Sequence, residues 1–344
     1  FFEKGLTFFQ QTLDTRNIAF HIHIIHQMIT LQNNELILQV ALQGAEMQSL
    51  KDVRTGYEYL WQRDPEFWNG TSPILFPSVG GHWDGQYRYD GRVWSMTKHG
   101  FVRKQVWTIL EQSETHAVLS FTPTAEELAN YPFPCRIQVT FRLDGRKLTS
   151  AFAVENLGES TMYFQMGGHP AFNLPDYDRD EPQSGYITLE GEPKSLLRAM
   201  DQGCTAPERF PVPFDAEGRI PCCKETFDNE ALIFDEHQVK AATFVRKDGT
   251  KLLRIESDAP VWLFWSPQGQ HAPFVCPEPW YGLCDRIGLL YDGELKTFIK
   301  NGPEVDLSKE SDVSVMMDCQ VGGGHCEADW EHLVPDFMHY LWME

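Results

Sequence analysis

Three short stretches carry side chains able to move protons. The first is P-F-V-C-P-E-P-W-Y-G-L-C-D-R-I-G, Pro273 to Gly288, in which Glu278 stands between Pro277 and Pro279. Pro279 drives Glu278 out of the helical region into an extended conformation, and Pro277 stiffens the approach. Phe274, Trp280 and Tyr281 surround the carboxylate with aromatic surface. Such a setting fixes an acid in one direction, shields it from water and raises its pKa. The second stretch is G-G-H-P-A-F-N, Gly167 to Asn173, where two glycines precede His169 and Pro170 fixes the exit. The third is K-H-G-F-V-R, Lys98 to Arg103, with His99 ahead of Gly100. Gly-bearing turns at strand ends are where a β scaffold presents functional groups.

One acid and two histidines admit three chemistries. A metal site of the two-histidine, one-carboxylate kind is the first, although no two of these residues are close in sequence as on one ligand-bearing strand. The second is glycoside hydrolysis by a carboxylate pair, Glu278 with Asp228 or Asp285. The third is metal-free proton shuttling, with Glu278 as base and a histidine as acid. Ordinary pKa values of about 4.3 and 6.5 bracket that division of labour. A separate cluster, H-I-H-I-I-H, places His21 and His23 on one face of a strand with His26 nearby. Metal ligation is conceivable there, but no Glu or Cys follows at a matching spacing.

Strands must hold these groups. Leu36, Leu38 and Val40 share one face after a turn at Asn33-Asn34, and Asp90-Gly91 between two aromatic runs predicts a type I′ hairpin. Cys135 to Leu143 and Lys147 to Asn156 alternate well and meet at Asp144-Gly145, while Ala125 to Asn130 reads as one helical turn. Helical periodicity is nearly absent elsewhere. Short strands with turn signals every 8 to 12 residues or so predict an all-β fold, a large antiparallel β-sandwich. The sandwich domain is expected over 28–305, with an N-terminal extension at 1–27 and a C-terminal extension at 306–344 that ends in an aromatic, acidic tail.

Composition narrows the partners. The 344 residues are 42% hydrophobic and 13% aromatic, enough for a sizeable core. Aromatics suit pleated surfaces and form platforms on which sugar rings stack. A net charge of -20 without any Lys or Arg run argues against nucleic acid and anionic membrane as partners. Eight cysteines without a C-x-x-C pair do not form a disulfide framework, so a reducing, cytoplasmic setting is expected. No apolar run approaches the ~20 residues needed to span a bilayer. Phe1 to Gln11 is amphipathic and lacks a small-residue cleavage site, unlike a signal peptide.

Taken together, several blocks resemble the aldose 1-epimerase (galactose mutarotase-like) family, and most closely its LacX-related branch. They are G-A-E-M-Q-S-L at Gly44 to Leu50, S-P-I-L-F-P-S-V-G at Ser72 to Gly80, K-H-G-F-V-R, G-G-H-P-A-F-N, A-L-I-F at Ala231 to Phe234 and P-E-P-W-Y-G-L-C-D at Pro277 to Asp285. They keep the family's order over about residues 28 to 290. The resemblance implies a supersandwich with an open sugar cleft, a hexose substrate, and neither cofactor nor metal. It implies Glu278 as general base, His169 as general acid, and His99 and Asp228 as sugar-binding residues. Trp280 is expected to stack on the sugar. Where the family often has an arginine after Gly80, this chain has Gly81 and His82, so either Arg103 or Arg88 substitutes or the ligand differs. Pro277 replaces a residue that is commonly aliphatic. Two other functions remain open at this point: a non-catalytic carbohydrate-binding protein, and a glycoside hydrolase or lyase on a similar sandwich. The sequence names neither the sugar nor an oligomeric state.

Overall fold

A computed structural model describes residues 27–206 and 208–287, together with the strands Glu304–Val305 and Val313–Val321. The histidine cluster at His21, His23 and His26 and the aromatic tail lie outside the described residues.

Alternation of apolar and polar side chains builds the central strands. Cys135–Asp144 and Lys147–Asn156 bury almost every second residue and pair through a turn in which Gly145 has φ +52°. They belong to a nine-stranded sheet, in the order Ile220–Cys223, Gln183–Gly191, Val239–Val245, Lys251–Ser257, Val313–Val321, Lys147–Asn156, Cys135–Asp144, His116–Phe121 and Thr108–Gln112. A seven-stranded sheet runs Leu197–Arg198, Leu232–Phe234, Val261–Trp265, Phe274–Tyr281, Met166–Gly168 and Ile74–Leu75, with Phe172–Asn173 also paired to Phe274–Tyr281. Neighbouring strands in both sheets are antiparallel. Ile137, Phe141, Leu148 and Phe152 from the larger sheet meet Phe234, Trp262, Phe264 and Val275 from the smaller in one buried cluster. Each such side chain contributes ~1.5–3 kcal/mol on burial. The fold is thus the antiparallel sandwich expected from the alternation. The Asp90-Gly91 hairpin forms too, joining Gln86–Tyr89 to Arg92–Ser95.

Among the described residues, α-helix is limited to the single turns Ala125–Leu128 and Lys224–Phe227. The first starts on a capping box between Thr124 and Glu127. No helix among them is long and apolar enough to cross a membrane.

The C-terminal boundary differs from expectation. Val313–Val321, read as part of an extension, pairs with Lys147–Asn156 on one side and Lys251–Ser257 on the other. The sandwich therefore includes a strand beyond residue 305. Its sequence, V-S-V-M-M-D-C-Q-V, interrupts the alternation with two consecutive methionines, which weakens the contrast that marks a strand.

The seven-stranded sheet is covered on its far face as well. Leu75, Leu197, Ile233, Val261, Leu263 and Trp280 pack together there. Along Phe274–Tyr281 the period of two sends Val275 into the core between the sheets, while Phe274, Cys276 and Trp280 join clusters on the far face. Glu278 shares the far face.

A buried ion pair ties the N-terminal three-stranded sheet (Met28–Gln32, Leu36–Ala41, Met47–Asp52) to the hairpin turn before Lys147. Arg146 donates to Asp52 Oδ2 at 2.8 Å and to Glu35 Oε2 at 3.1 Å. Burial opposes charge on Asp52, but the Arg146 bond and the Thr55 N–H outweigh it and hold the carboxyl at about 2. A depressed carboxyl stabilises the fold above its unfolded pKa and ceases to as pH falls through its folded value. Between pH 4 and 2 the protein should lose about 2 kcal/mol more than an Asp52→Asn variant, measured by urea denaturation. Parallel pH profiles for the two proteins would contradict this.

Candidate active site

Backbone chemistry brings the acid and one histidine together. Phe274–Tyr281 pairs with Met166–Gly168 as Met166↔Tyr281 and Gly167↔Trp280, and with Phe172–Asn173 as Phe172↔Val275 and Asn173↔Phe274. Both short pairings share one register. Carried across the gap between them, it sets His169 opposite Glu278, Pro170 opposite Pro277 and Gly168 opposite Pro279. The N–H groups of His169 and Ala171 turn to the other neighbour and bond the carbonyls of Pro73 and Thr71 at 3.1 and 2.8 Å. Alternate residues direct their backbone groups the opposite way, so Gly168 and Pro170 face Pro279 and Pro277. Three of those four residues have no N–H to give. The ladder breaks there for a covalent reason, and at the break His169 and Glu278 present their side chains to one face.

The resulting contact is close. His169 Nε2 lies 3.2 Å from Glu278 Oε1. Trp280 Nε1–H donates to the other carboxyl oxygen, Oε2, at 3.2 Å. Glu278 is only 1% exposed and His169 8%, and Oε1 and His169 Nδ1 have no hydrogen-bond partner among the described residues. Aromatic rings hold the imidazole plane: Trp68 stacks on it at 4.9 Å and Trp265 meets it edge-on at 5.6 Å. Trp68 is itself anchored, its carbonyl accepting Trp61 Nε1–H at 2.7 Å.

Burial sets the protonation. It pushes the Glu278 carboxyl well above the usual carboxylate range, with Lys98 and the Trp280 N–H acting in the other direction. It pushes His169 down to about 3, and Lys98 and Arg103 add to that effect. The pair therefore favours its neutral state, a protonated carboxyl beside a neutral imidazole. His99 is neutral for the same reason: burial, followed by His169, Lys98 and Arg103, holds it well below its ordinary value.

His99 reaches the pair from a second loop. Its ring centroid is 5.5 Å from that of His169 and 6.0 Å from that of Trp280. Gly80 N–H donates to His99 Nδ1 at 3.0 Å, and the His99 N–H returns a bond to the Gly80 carbonyl at 2.9 Å. With Nδ1 accepting, a neutral ring carries its proton on Nε2 and is a donor there. Gly100 has φ +67°, and a Cβ on it would lie 2.1 Å from the Phe76 carbonyl oxygen. That close approach is what places His99.

Of the remaining expected residues, Trp280 touches the pair directly, through its bond to Glu278. Arg103 donates to the Lys98 carbonyl at 3.0 Å and acts on both histidines electrostatically. Asp228 follows the turn Lys224–Phe227, pairs with Lys224 at 3.6 Å, and accepts from Gln268 through its backbone carbonyl. Trp280 departs from its expected role. At 2% exposure its ring has no free face for a sugar, and its indole N–H instead holds Glu278. The missing arginine also has a steric explanation: a Cβ at Gly81 would already lie 2.0 Å from the Gln202 carbonyl oxygen. Next to it, buried His82 bonds Ser78 Oγ at 2.8 Å and approaches Asp285 Oδ2 at 3.5 Å, so it staples loops together. Trp68, Trp265, Lys98 and Cys276 were not singled out by sequence reasoning. The loop Trp68-Asn69-Gly70 and the period of two along Phe274–Tyr281 are the signals by which Trp68 and Cys276 could have been found.

Both the sequence and the sandwich are similar to those of known proteins. The sequence model of the family described as aldose 1-epimerase matches residues 27–287, and the chain belongs to that family. It is 32% identical over 317 residues to the chromosomal LacX protein of Lactococcus lactis subsp. lactis, an alignment covering 84% of this chain and 99% of that one. Among solved structures, a galactose mutarotase related enzyme from Lactobacillus acidophilus superposes with a TM-score of 0.75 at 25% identity, covering 86% of this chain and 98% of that chain. A galactose mutarotase-like protein from Lactobacillus casei superposes with a TM-score of 0.75 at 26% identity, covering 86% and 100%.

Gly100→Ala should lower stability by about 1–3 kcal/mol, because the new methyl group meets backbone that cannot step aside. An unchanged urea midpoint would show that the loop carrying His99 is not held by this contact.

Proposed function

We propose that the protein interconverts the α and β anomers of a free hexose by acid–base ring opening and closure. The observation that supports this best is His169 facing Glu278 across the interrupted ladder, with Nε2 3.2 Å from Oε1. With the carboxyl proton passed to His169 and Glu278 left ionised, Glu278 takes the proton of the anomeric hydroxyl while the His169 imidazolium protonates the ring oxygen. The C1–O5 bond breaks, leaving an open-chain aldehyde. Rotation about C1–C2 exposes the other carbonyl face, and reclosure returns each proton to the group that gave it. Nothing is added or lost, so the single proton held by the pair is enough for the cycle. Each proton transfer is typically worth ~10²–10⁴ in rate.

The neighbours suit this division of roles. Trp280 fixes one carboxyl oxygen and leaves the other towards His169. His99 offers a donor of fixed tautomer to a sugar oxygen. Asp228 Oδ1, buried and without a hydrogen-bond partner among the described residues, is the acceptor we assign to a sugar hydroxyl. Half-buried Trp68 and Trp265 supply the aromatic surface that buried Trp280 does not. Lys98 is exposed beside the pair, and Arg103 stands behind it in place of the family arginine. The six described cysteines are free thiols, which suits a cytoplasmic setting.

NMR exchange spectroscopy on glucose and galactose tests the reading. The protein should accelerate anomer exchange over buffer, and Glu278→Gln and His169→Asn should each reduce that acceleration by ~10²–10⁴-fold. Full activity in Glu278→Gln would refute the assigned base. Binding without exchange in the unaltered protein would identify a carbohydrate-binding protein instead.

A further inference from the structure

We propose that the same buried cluster of side chains binds a thiophilic divalent cation, Zn²⁺ above all, through Cys276, His169 and Glu278. One ligand atom from each of these side chains lies within 4.8 Å of the other two. All three residues are buried. The strand geometry explains the convergence, since Cys276 and Glu278 are two residues apart on one strand and His169 faces them from the next.

The spacing and the unmet valences both suit a metal. Zinc accepts thiolate, imidazole and carboxylate together, and nitrogen and oxygen ligands about 2.0–2.1 Å from a tetrahedral ion stand roughly 3.3 Å apart. His169 Nε2 and Glu278 Oε1 are 3.2 Å apart. Oε1 nevertheless has no hydrogen-bond partner among the described residues, so the two atoms are spaced as neighbouring ligands and are not aligned as donor and acceptor. A carboxyl oxygen left unpartnered on a residue 1% exposed is costly, and a cation would satisfy it. Trp280 supplies the outer-shell bond that orients such a ligand, donating to Oε2 at 3.2 Å. A water molecule or a sugar oxygen would complete four-coordination.

Coordination releases the Cys276 thiol proton and the Glu278 carboxyl proton to solvent and leaves thiolate and carboxylate on the metal. It also takes up the lone pairs of Glu278 and His169, so bound metal blocks proton transfer. That last consequence rests on the proposed anomer exchange, whereas metal binding itself does not.

Titration of the full chain with Co²⁺, in buffer free of competing thiols, tests binding directly. One Co²⁺ per chain should produce sulfur-to-cobalt charge-transfer absorption and the intense visible bands of a four-coordinate ion, and Zn²⁺ should displace it. Cys276→Ser should abolish the charge-transfer band. Glu278→Gln, which preserves shape and thiol, should keep the band and weaken affinity at least about 10-fold. Changing His21, His23 and His26 together to Gln should leave the band and the affinity unaltered. Absence of the band in the unaltered protein, its survival in Cys276→Ser, or unchanged affinity in Glu278→Gln would overturn the proposal.

Discussion

The pairing of Phe274–Tyr281 with the chain from Met166 to Asn173 is the constraint on which the site depends. Two short ladders in a common register flank a stretch where Pro170, Pro277 and Pro279 remove three backbone donors. Prolines in a central strand ordinarily weaken a sheet, which is why they concentrate at edges and bulges. Here the flanking pairs, together with the bonds from His169 and Ala171 to Pro73 and Thr71, hold the register on both sides. The region of weakened backbone pairing is also where His169 and Glu278 meet. Whatever enters between them has fewer main-chain bonds to disturb than it would have elsewhere on this sheet.

Burial then gives the pair its character. An acid and an imidazole exposed to water would ionise independently and attract one another weakly. Enclosed by Trp68, Trp265 and Trp280, they gain more from staying neutral than from separating charge. Lys98 and Arg103 act from the side, opposing the rise at Glu278 or deepening the fall at His169. Among the described residues, the same enclosure leaves buried polar atoms unpaired at Glu278 Oε1 and His169 Nδ1. Sites that bind polar ligands retain such atoms, because the ligand supplies the missing partner.

Much of this was readable from local chemistry. Alternation exposed Cys135–Asp144 and Lys147–Asn156 with their turn at Asp144-Gly145, and Asp90-Gly91 marked the hairpin of Gln86–Tyr89 and Arg92–Ser95, since these signals depend only on near neighbours. The isolated acid between two prolines and the histidine between glycine and proline were conspicuous for the same reason. That residues 169 and 278 stand opposite one another was not legible, because register between strands so far apart is a property of the whole sheet. Trp280 was read as a platform because an aromatic beside an acid looks the same exposed or buried. Its 2% exposure comes from the packing of Leu75, Val261 and Leu263 around it. The steric bar to an arginine at Gly81 comes from the Gln202 carbonyl, over a hundred residues away, and no local pattern announces it. Val313–Val321 was overlooked for want of contrast along its own sequence.

A crystal structure with a bound hexose would test the account most directly. The account predicts the anomeric hydroxyl within hydrogen-bond distance of the Glu278 carboxyl and the ring oxygen within hydrogen-bond distance of the His169 imidazole, with His99 donating to the same ring. A hexose bound elsewhere on the surface, with His169 and Glu278 still in contact and untouched by it, would contradict the account.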